Sequence, residues 1–167
     1  MANTYSQIYI QTVFAVKHRE ALIQKEWRDD LLGYTTGILQ NKGQKVLATG
    51  GVDDHIHLFW NYKDLTYTIP ELVREVKKST NAWVKAEGLS PFKFEWQDGY
   101  GAFSYGHSQI DAVCKYVLNQ EEHHKKWTFQ EEYLSFMRKF HVEYDPRYIF
   151  KFFDSETSPT EQSNQNP

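Results

Sequence analysis

The sequence predicts an α+β domain built on a four-stranded antiparallel sheet, with further helices after the last strand. Three observations carry this. Runs of β-branched and aromatic residues take turns with stretches whose apolar side chains recur every three or four positions. The two middle strands are short and separated only by a tight turn, so they should pair as a hairpin. The chain has 167 residues and 40% apolar content, enough to bury a real core. Strand–helix–strand–strand–helix–strand is the ferredoxin-like, RRM-like βαββαβ order. Helices cover one face of such a sheet and leave the other open.

Tyr5 to Val16 reads as the first strand, and Lys17-His18-Arg19 as a basic loop after it. Gln24 to Asn41 reads as a helix whose apolar positions Trp27, Leu31, Tyr34, Ile38 and Leu39 share one face. Asn41-Lys42-Gly43 stops it. Gln44 to Thr49 is the second strand, and Gly50-Gly51-Val52-Asp53-Asp54 is the turn into a third that starts at His55. Tyr67 to Gly88 is the second helix, with Thr68 as N-cap, Pro70 in the first turn and a stripe of Leu72, Val73, Val76, Trp83 and Val84. Phe92 to Tyr105 is a fourth strand region, broken by Gly99 and Gly101. A third helix runs from about Ser108 to Lys125, with Ile110, Val113, Cys114, Val117 and Leu118 as its buried stripe. Another follows from Thr128 to Phe140, then an aromatic segment to Phe153. From Asp154 the chain is polar, which predicts one domain over residues 1–153 and a disordered tail over 154–167.

Composition excludes several classes. One cysteine, Cys114, forbids an intrachain disulfide and a cysteine-based zinc site, and points to a reducing compartment. No charged-then-apolar leader is present and no apolar run is long enough to span a bilayer, so a cytoplasmic protein without membrane contact is expected. Net charge is −3, but residues 1–153 balance at 19 basic and 19 acidic groups. Global charge therefore neither supports nor opposes a nucleic-acid partner, and local basic groups must decide.

Side chains alternate across a strand, so His55 and His57 share one face while Ile56 and Leu58 share the other. Two imidazoles side by side can hold one metal ion but do not complete its coordination. On the third helix Tyr116 lies off the apolar stripe, on a flank with Gln120 and His123. A tyrosine can attack phosphorus, and its phenol leaves readily enough to keep the link reversible. A metal held by imidazoles and a carboxamide keeps positions free to polarise phosphate oxygens.

His55-Ile56-His57 matches a His-hydrophobic-His (HUH) motif, and Tyr116-Val117-Leu118-Asn119-Gln120 a Tyr-x-x-x-Gln motif. Together they resemble the single-tyrosine HUH transposases of small bacterial insertion sequences and their relatives associated with repetitive extragenic palindromes. Val13-Phe14-Ala15-Val16-Lys17 and Trp96-Gln97-Asp98-Gly99-Tyr100 are similar to the family as well, so the resemblance spans about residues 5–150. It implies a divalent ion, Mg²⁺ or Mn²⁺, on His55, His57 and Gln120, and Tyr116 as the nucleophile toward single-stranded DNA with hairpin ends. It also implies a homodimer with the active site shared between subunits. Lys17, Arg19, Arg74, Lys77, Lys78 and Ser79 are the expected phosphate contacts. His123 and His124 invite a metal or phosphate reading too, but solvated helix positions explain them better. The non-enzymatic rival is a stacking module for hairpins on the same sheet, which needs no metal.

Overall fold

The third strand is central to the molecule, and its neighbours follow from its register. A computed structural model of the chain describes residues 3–151, so the expected tail over 154–167 lies outside the described residues. The elements are β1 (Tyr9–Ala15), α1 (Lys25–Asn41), β2 (Lys45–Gly51), β3 (His55–Asn61), α2 (Ile69–Ala86), β4 (Gly101–Tyr105), α3 (Ile110–Leu118), α4 (Gln120–His124) and α5 (Phe129–Lys139). The sheet order is β2-β3-β1-β4 with every pair antiparallel, the expected ferredoxin-like arrangement. Among the described residues no helix is long and apolar enough to cross a membrane.

β1 begins at Tyr9 rather than Tyr5 because its partners end there: Tyr9 faces Asn61 on one side and Tyr105 on the other. The fourth strand is shorter than the expected Phe92–Tyr105. Only one isolated bridge, Val16 to Trp96, forms before Gly101. Phe94 and Trp96 turn inward instead, and Trp96 donates to the Thr80 hydroxyl at 2.8 Å and packs edge-on against Phe14 at 4.8 Å. Apolar burial outweighs ladder formation for these two aromatics. Thr68 caps α2 as expected, in a reciprocal capping box with Glu71.

Helices α1 and α2 cover one sheet face, burying Trp27, Leu31, Leu39, Leu72, Val76 and Val84 in one cluster with Phe14, Ile56, Leu58 and Trp60. The opposite face, expected to be open, is covered as well. Phe129 of α5 stacks on the His55 ring at 3.9 Å, and Phe136 stacks on Phe103 of β4 at 4.9 Å. His55 and His57 are 0% exposed as a result. The physical reason is the α5 stripe of Phe129, Tyr133, Phe136 and Met137, which is apolar at helical spacing and needs a surface to bury it.

The expected third helix is two. Asn119 leaves the helical conformation (φ −101°, ψ 26°), which separates α3 from α4. Leu118, the last residue of α3 before the break, is 68% exposed rather than buried. The break lets the chain turn while α3 sits directly on β2. There Gly50 matters: a Cβ at that position would lie 1.8 Å from the Val117 carbonyl oxygen. Gly50 faces His57 across the ladder, so one small residue brings the tyrosine helix down beside the histidines. Gly50→Ala should lower stability by about 1–3 kcal/mol in chemical denaturation, as overpacking does. Gly33→Ala in α1, where nothing lies within 4 Å, should be neutral or slightly stabilising.

Candidate metal and nucleophile site

The Asp53-Asp54 turn is held by backbone bonds, Val16 N–H to the Asp54 carbonyl and Ile23 N–H to the Asp53 carbonyl, each 2.8 Å. This aims the Asp54 carboxylate at the first histidine of β3, whose Nδ1 lies 2.6 Å from Asp54 Oδ1. The second histidine is held in the same way. His57 Nδ1 lies 2.7 Å from Gln11 Oε1, on the neighbouring strand β1. Oxygen acceptors at both Nδ1 atoms hold the protons there and turn both Nε2 atoms to the centre of the site.

What the Nε2 atoms meet is Glu132, in the first turn of α5. Its Oε1 is 3.1 Å from His55 Nε2 and 2.9 Å from His57 Nε2. Its Oε2 is 3.1 Å from His123 Nε2 and 3.2 Å from His124 Nε2, and it accepts the Tyr116 hydroxyl. Burial opposes the charge on Glu132. The surrounding imidazoles of His57, His124 and His55 outweigh it and hold the carboxyl well below the usual carboxylate range. Burial also works against charge on His55, but its hydrogen bonds to Asp54 and Glu132 prevail and raise its pKa to about 9. His57, buried without so close a carboxylate on its Nδ1 side, is pushed below its ordinary value. Burial and the Glu132 charge drive the Tyr116 phenol well above its ordinary value.

The donor chemistry fits a divalent cation. One ligand atom each from His55, His57, His124 and Glu132 lies within 4.8 Å of all the others. Three imidazoles and one carboxylate form a mixed nitrogen–oxygen set. Gln120, the expected third ligand, is buried at the edge of this cluster. Its Oε1 lies 3.0 Å from His124 Nε2, and its amide donates to the Tyr116 carbonyl. Tyr116 is within reach of the same groups: its ring is edge-on to His57 at 5.8 Å and its hydroxyl is 3.3 Å from His123 Nε2. Tyrosine and histidines meet within one chain, where the resemblance implied sharing between two.

The charge on His55 has a measurable consequence for the metal-free chain. A raised pKa means that protonation favours folding. That contribution is complete below its ordinary 6.5 and is lost as pH climbs through about 9. It amounts to about 3 kcal/mol at roughly 1.4 per pKa unit. His57 acts only below its ordinary value, and Lys77, lowered to about 8 by burial, acts in the opposite sense above that pH. Thermal melts in chelator between pH 6.5 and 8 should therefore show stability falling in wild type, and falling less in Asp54→Asn.

The basic groups lie away from this centre. Lys77 is not free for a phosphate, since its ammonium donates to the carbonyls of Gln97 (2.8 Å) and Gly99 (2.5 Å). Ser79 donates to Glu75 at 3.0 Å. Lys17 lies 3.9 Å from Glu95. Arg74 and Lys78 are exposed on α2, in the layer behind the sheet, and Arg19 lies in the short turn before α1.

Glu132, Asp54 and Gln11 are the site residues that sequence reasoning missed. Glu132 did leave a signal: Phe129, Glu132, Tyr133, Phe136 and Met137 stand at i, i+3, i+4, i+7 and i+8, so an acid interrupts an apolar stripe. Gln11 occupies the same alternation as Tyr9 and Val13, a polar residue on a buried strand face.

The chain belongs to the IS200-like transposase family, whose model matches residues 4–120. No curated protein matches it in sequence. Among solved structures it is similar to a candidate transposase from Deinococcus radiodurans R1, at 18% identity and TM-score 0.56, covering 72% of this chain and 95% of that one. It is also similar to a REP-associated tyrosine transposase bound to a REP hairpin, at 14% identity and TM-score 0.55, covering 74% and 73%. At these identities the likeness is one of fold. The family match ends at Gln120, so α5 and Glu132 lie beyond it.

Proposed function

We propose that this transposase cleaves and rejoins single-stranded DNA at hairpin-marked ends through a 5′-phosphotyrosine on Tyr116. One observation carries the reading: both histidines are anchored at Nδ1, so their Nε2 atoms converge beside the tyrosine hydroxyl of the same chain. His55, His57 and Glu132 would hold a divalent ion, with His124 Nε2 and the Gln120 carboxamide oxygen beside it as further donors. When bound, that ion supplies Lewis-acid polarisation of the scissile phosphate. Imidazole-rich donors favour Mn²⁺ over Mg²⁺.

The phenol proton has an acceptor in His123, whose Nε2 lies 3.3 Å from the hydroxyl. The Tyr116 oxygen bonds to phosphorus as its proton passes to His123, the bond from phosphorus to the 3′ oxygen breaks, and that oxygen takes the proton back from His123 to leave as a hydroxyl. The phosphodiester energy stays in the covalent link, so the 3′-hydroxyl of another end can reverse the step without ATP. Lys17, Arg19, Arg74 and Lys78 contact phosphates away from the cleavage centre, Lys17 exchanging its 3.9 Å pairing with Glu95 for one, whereas Lys77 and Ser79 are held by two carbonyls and by Glu75. The site assembles in cis, and a dimer is not needed to complete it.

Incubation of the protein with labelled single-stranded DNA carrying an end hairpin tests this. A covalent adduct should form with Mn²⁺ and vanish in chelator. Hairpin binding that is equal in chelator, with no adduct under any metal, would leave only the stacking module.

A further inference from the structure

A small pocket opens beside Tyr116. It has a volume of about 290 Å³ and is lined by Tyr116, Asn119, Glu122, His123, Lys126 and Trp127. That volume lies at the lower end of the range for small-ligand sites. Trp127 is 53% exposed, whereas Trp27, Trp60 and Trp96 are 5% exposed or less. Trp83 is partly buried and stacks on Tyr34 at 5.1 Å. An exposed indole offers a broad aromatic face on which a planar ligand can stack.

The backbone that carries this indole is held in place: the Trp127 backbone N–H donates to the His123 carbonyl at 3.1 Å, and the Trp127 carbonyl lies 2.8 Å from His124 Nδ1. Its ring lies parallel to the His123 ring, at 11° and 6.3 Å between centroids, and His123 in turn packs against Tyr116 at 5.0 Å. An aromatic wall therefore runs from the nucleophile to the surface. The acid in the pocket, Glu122, is paired with Lys125 at 2.7 Å, which leaves the Lys126 ammonium as the cation on the rim. An exposed, fixed aromatic face beside a cation is how proteins hold single-stranded nucleic acid without reading its sequence.

Resting on the function proposed above, we infer that this pocket is a nucleobase subsite, in which Trp127 stacks the base of a nucleotide next to the phosphate that Tyr116 attacks. Lys126 meets the backbone of the same nucleotide. The occupant is a DNA base rather than a protein side chain because the pocket is continuous with the nucleophile and carries a cation at its mouth. Trp127 lies past the family match over residues 4–120, so this subsite is a feature of the extension.

The test uses the full chain in chelator, so that no strand is cut, and two probes: oligothymidylate of about eight nucleotides and a fully abasic oligonucleotide of the same length. Oligothymidylate should quench tryptophan emission of the wild type and bind about tenfold tighter than the abasic strand. Trp127→Ala should lose about tenfold on oligothymidylate, nothing on the abasic strand, and the emission change as well. Trp127→Phe, which keeps an aromatic face, should retain binding to within about threefold and still lose the emission change; it also covers the case in which the alanine variant folds poorly. Unchanged affinity of Trp127→Ala for oligothymidylate, or equal loss on both probes, overturns the subsite. Adduct formation by the wild type is scored separately. An adduct without a Trp127 effect sinks the subsite alone, and a Trp127 effect without an adduct sinks the proposed chemistry alone.

Discussion

Tyr116→Phe should form no covalent adduct with single-stranded DNA, a loss on the order of 10³-fold or more. The substitution removes one oxygen and leaves the ring where it packs, edge-on against His57 and Phe136. Its fold should persist, because Glu132 loses one donor and keeps four imidazole partners. Melting temperature and hairpin affinity close to wild type would show that the loss is chemical. The same variant decides how the site is assembled. If tyrosine and histidines act in one chain, mixing Tyr116→Phe with His55→Ala subunits leaves both dead. Recovery of adduct on mixing would mean that sites are shared between subunits and would overturn the cis reading. Residual cleavage by Tyr116→Phe alone would remove Tyr116 as the nucleophile.

Glu132→Ala should be the most damaging single change to the metal-free protein. The carboxylate is 2% exposed and touches every donor in the cluster. Its removal leaves the His55 imidazolium buried with only Asp54 opposite it, and taking one partner from a buried ion pair costs about 3 kcal/mol or more. Urea denaturation in chelator would read this. Glu132→Gln keeps the shape and one acceptor oxygen, so it should lose less stability while still losing the charge. Both variants should bind Mn²⁺ at least tenfold more weakly, since even outer-shell partners of metal ligands are typically worth about 10–100-fold. Mn²⁺ affinity equal to wild type in both would remove Glu132 from the ligand set.

The two sides of the sheet were not equally legible. The elements in front of β4 follow from local rules. Thr68 caps its helix because a hydroxyl satisfies a free N–H, and the Gly50–Asp54 turn forms because those residues tolerate its backbone. His55 and His57 share a face because strand side chains alternate, and that alone pairs them. Their burial did not follow. A polar pair on a sheet reads as exposed unless something is known to cover it, and the cover here is α5, about seventy-five residues further on in the chain.

Sequence by itself determined the ferredoxin-like strand and helix order, the shared face of His55 and His57, and the placement of Tyr116 off the apolar stripe of its helix. Each of these depends on spacing within a few residues, where backbone geometry is the same in any protein. Tertiary structure decided what surrounds them. Gln11 reaches His57 only because β1 and β3 pair in one register, with Thr12 facing Leu58 and Val13 facing His57. Tyr116 reaches the histidines only because Gly50 carries no side chain where the Val117 carbonyl sits. Glu132 meets five partners at once because the apolar stripe of α5 drives that helix onto the histidine face and carries the acid in with it. Long-range packing sets these contacts, and no local spacing encodes them.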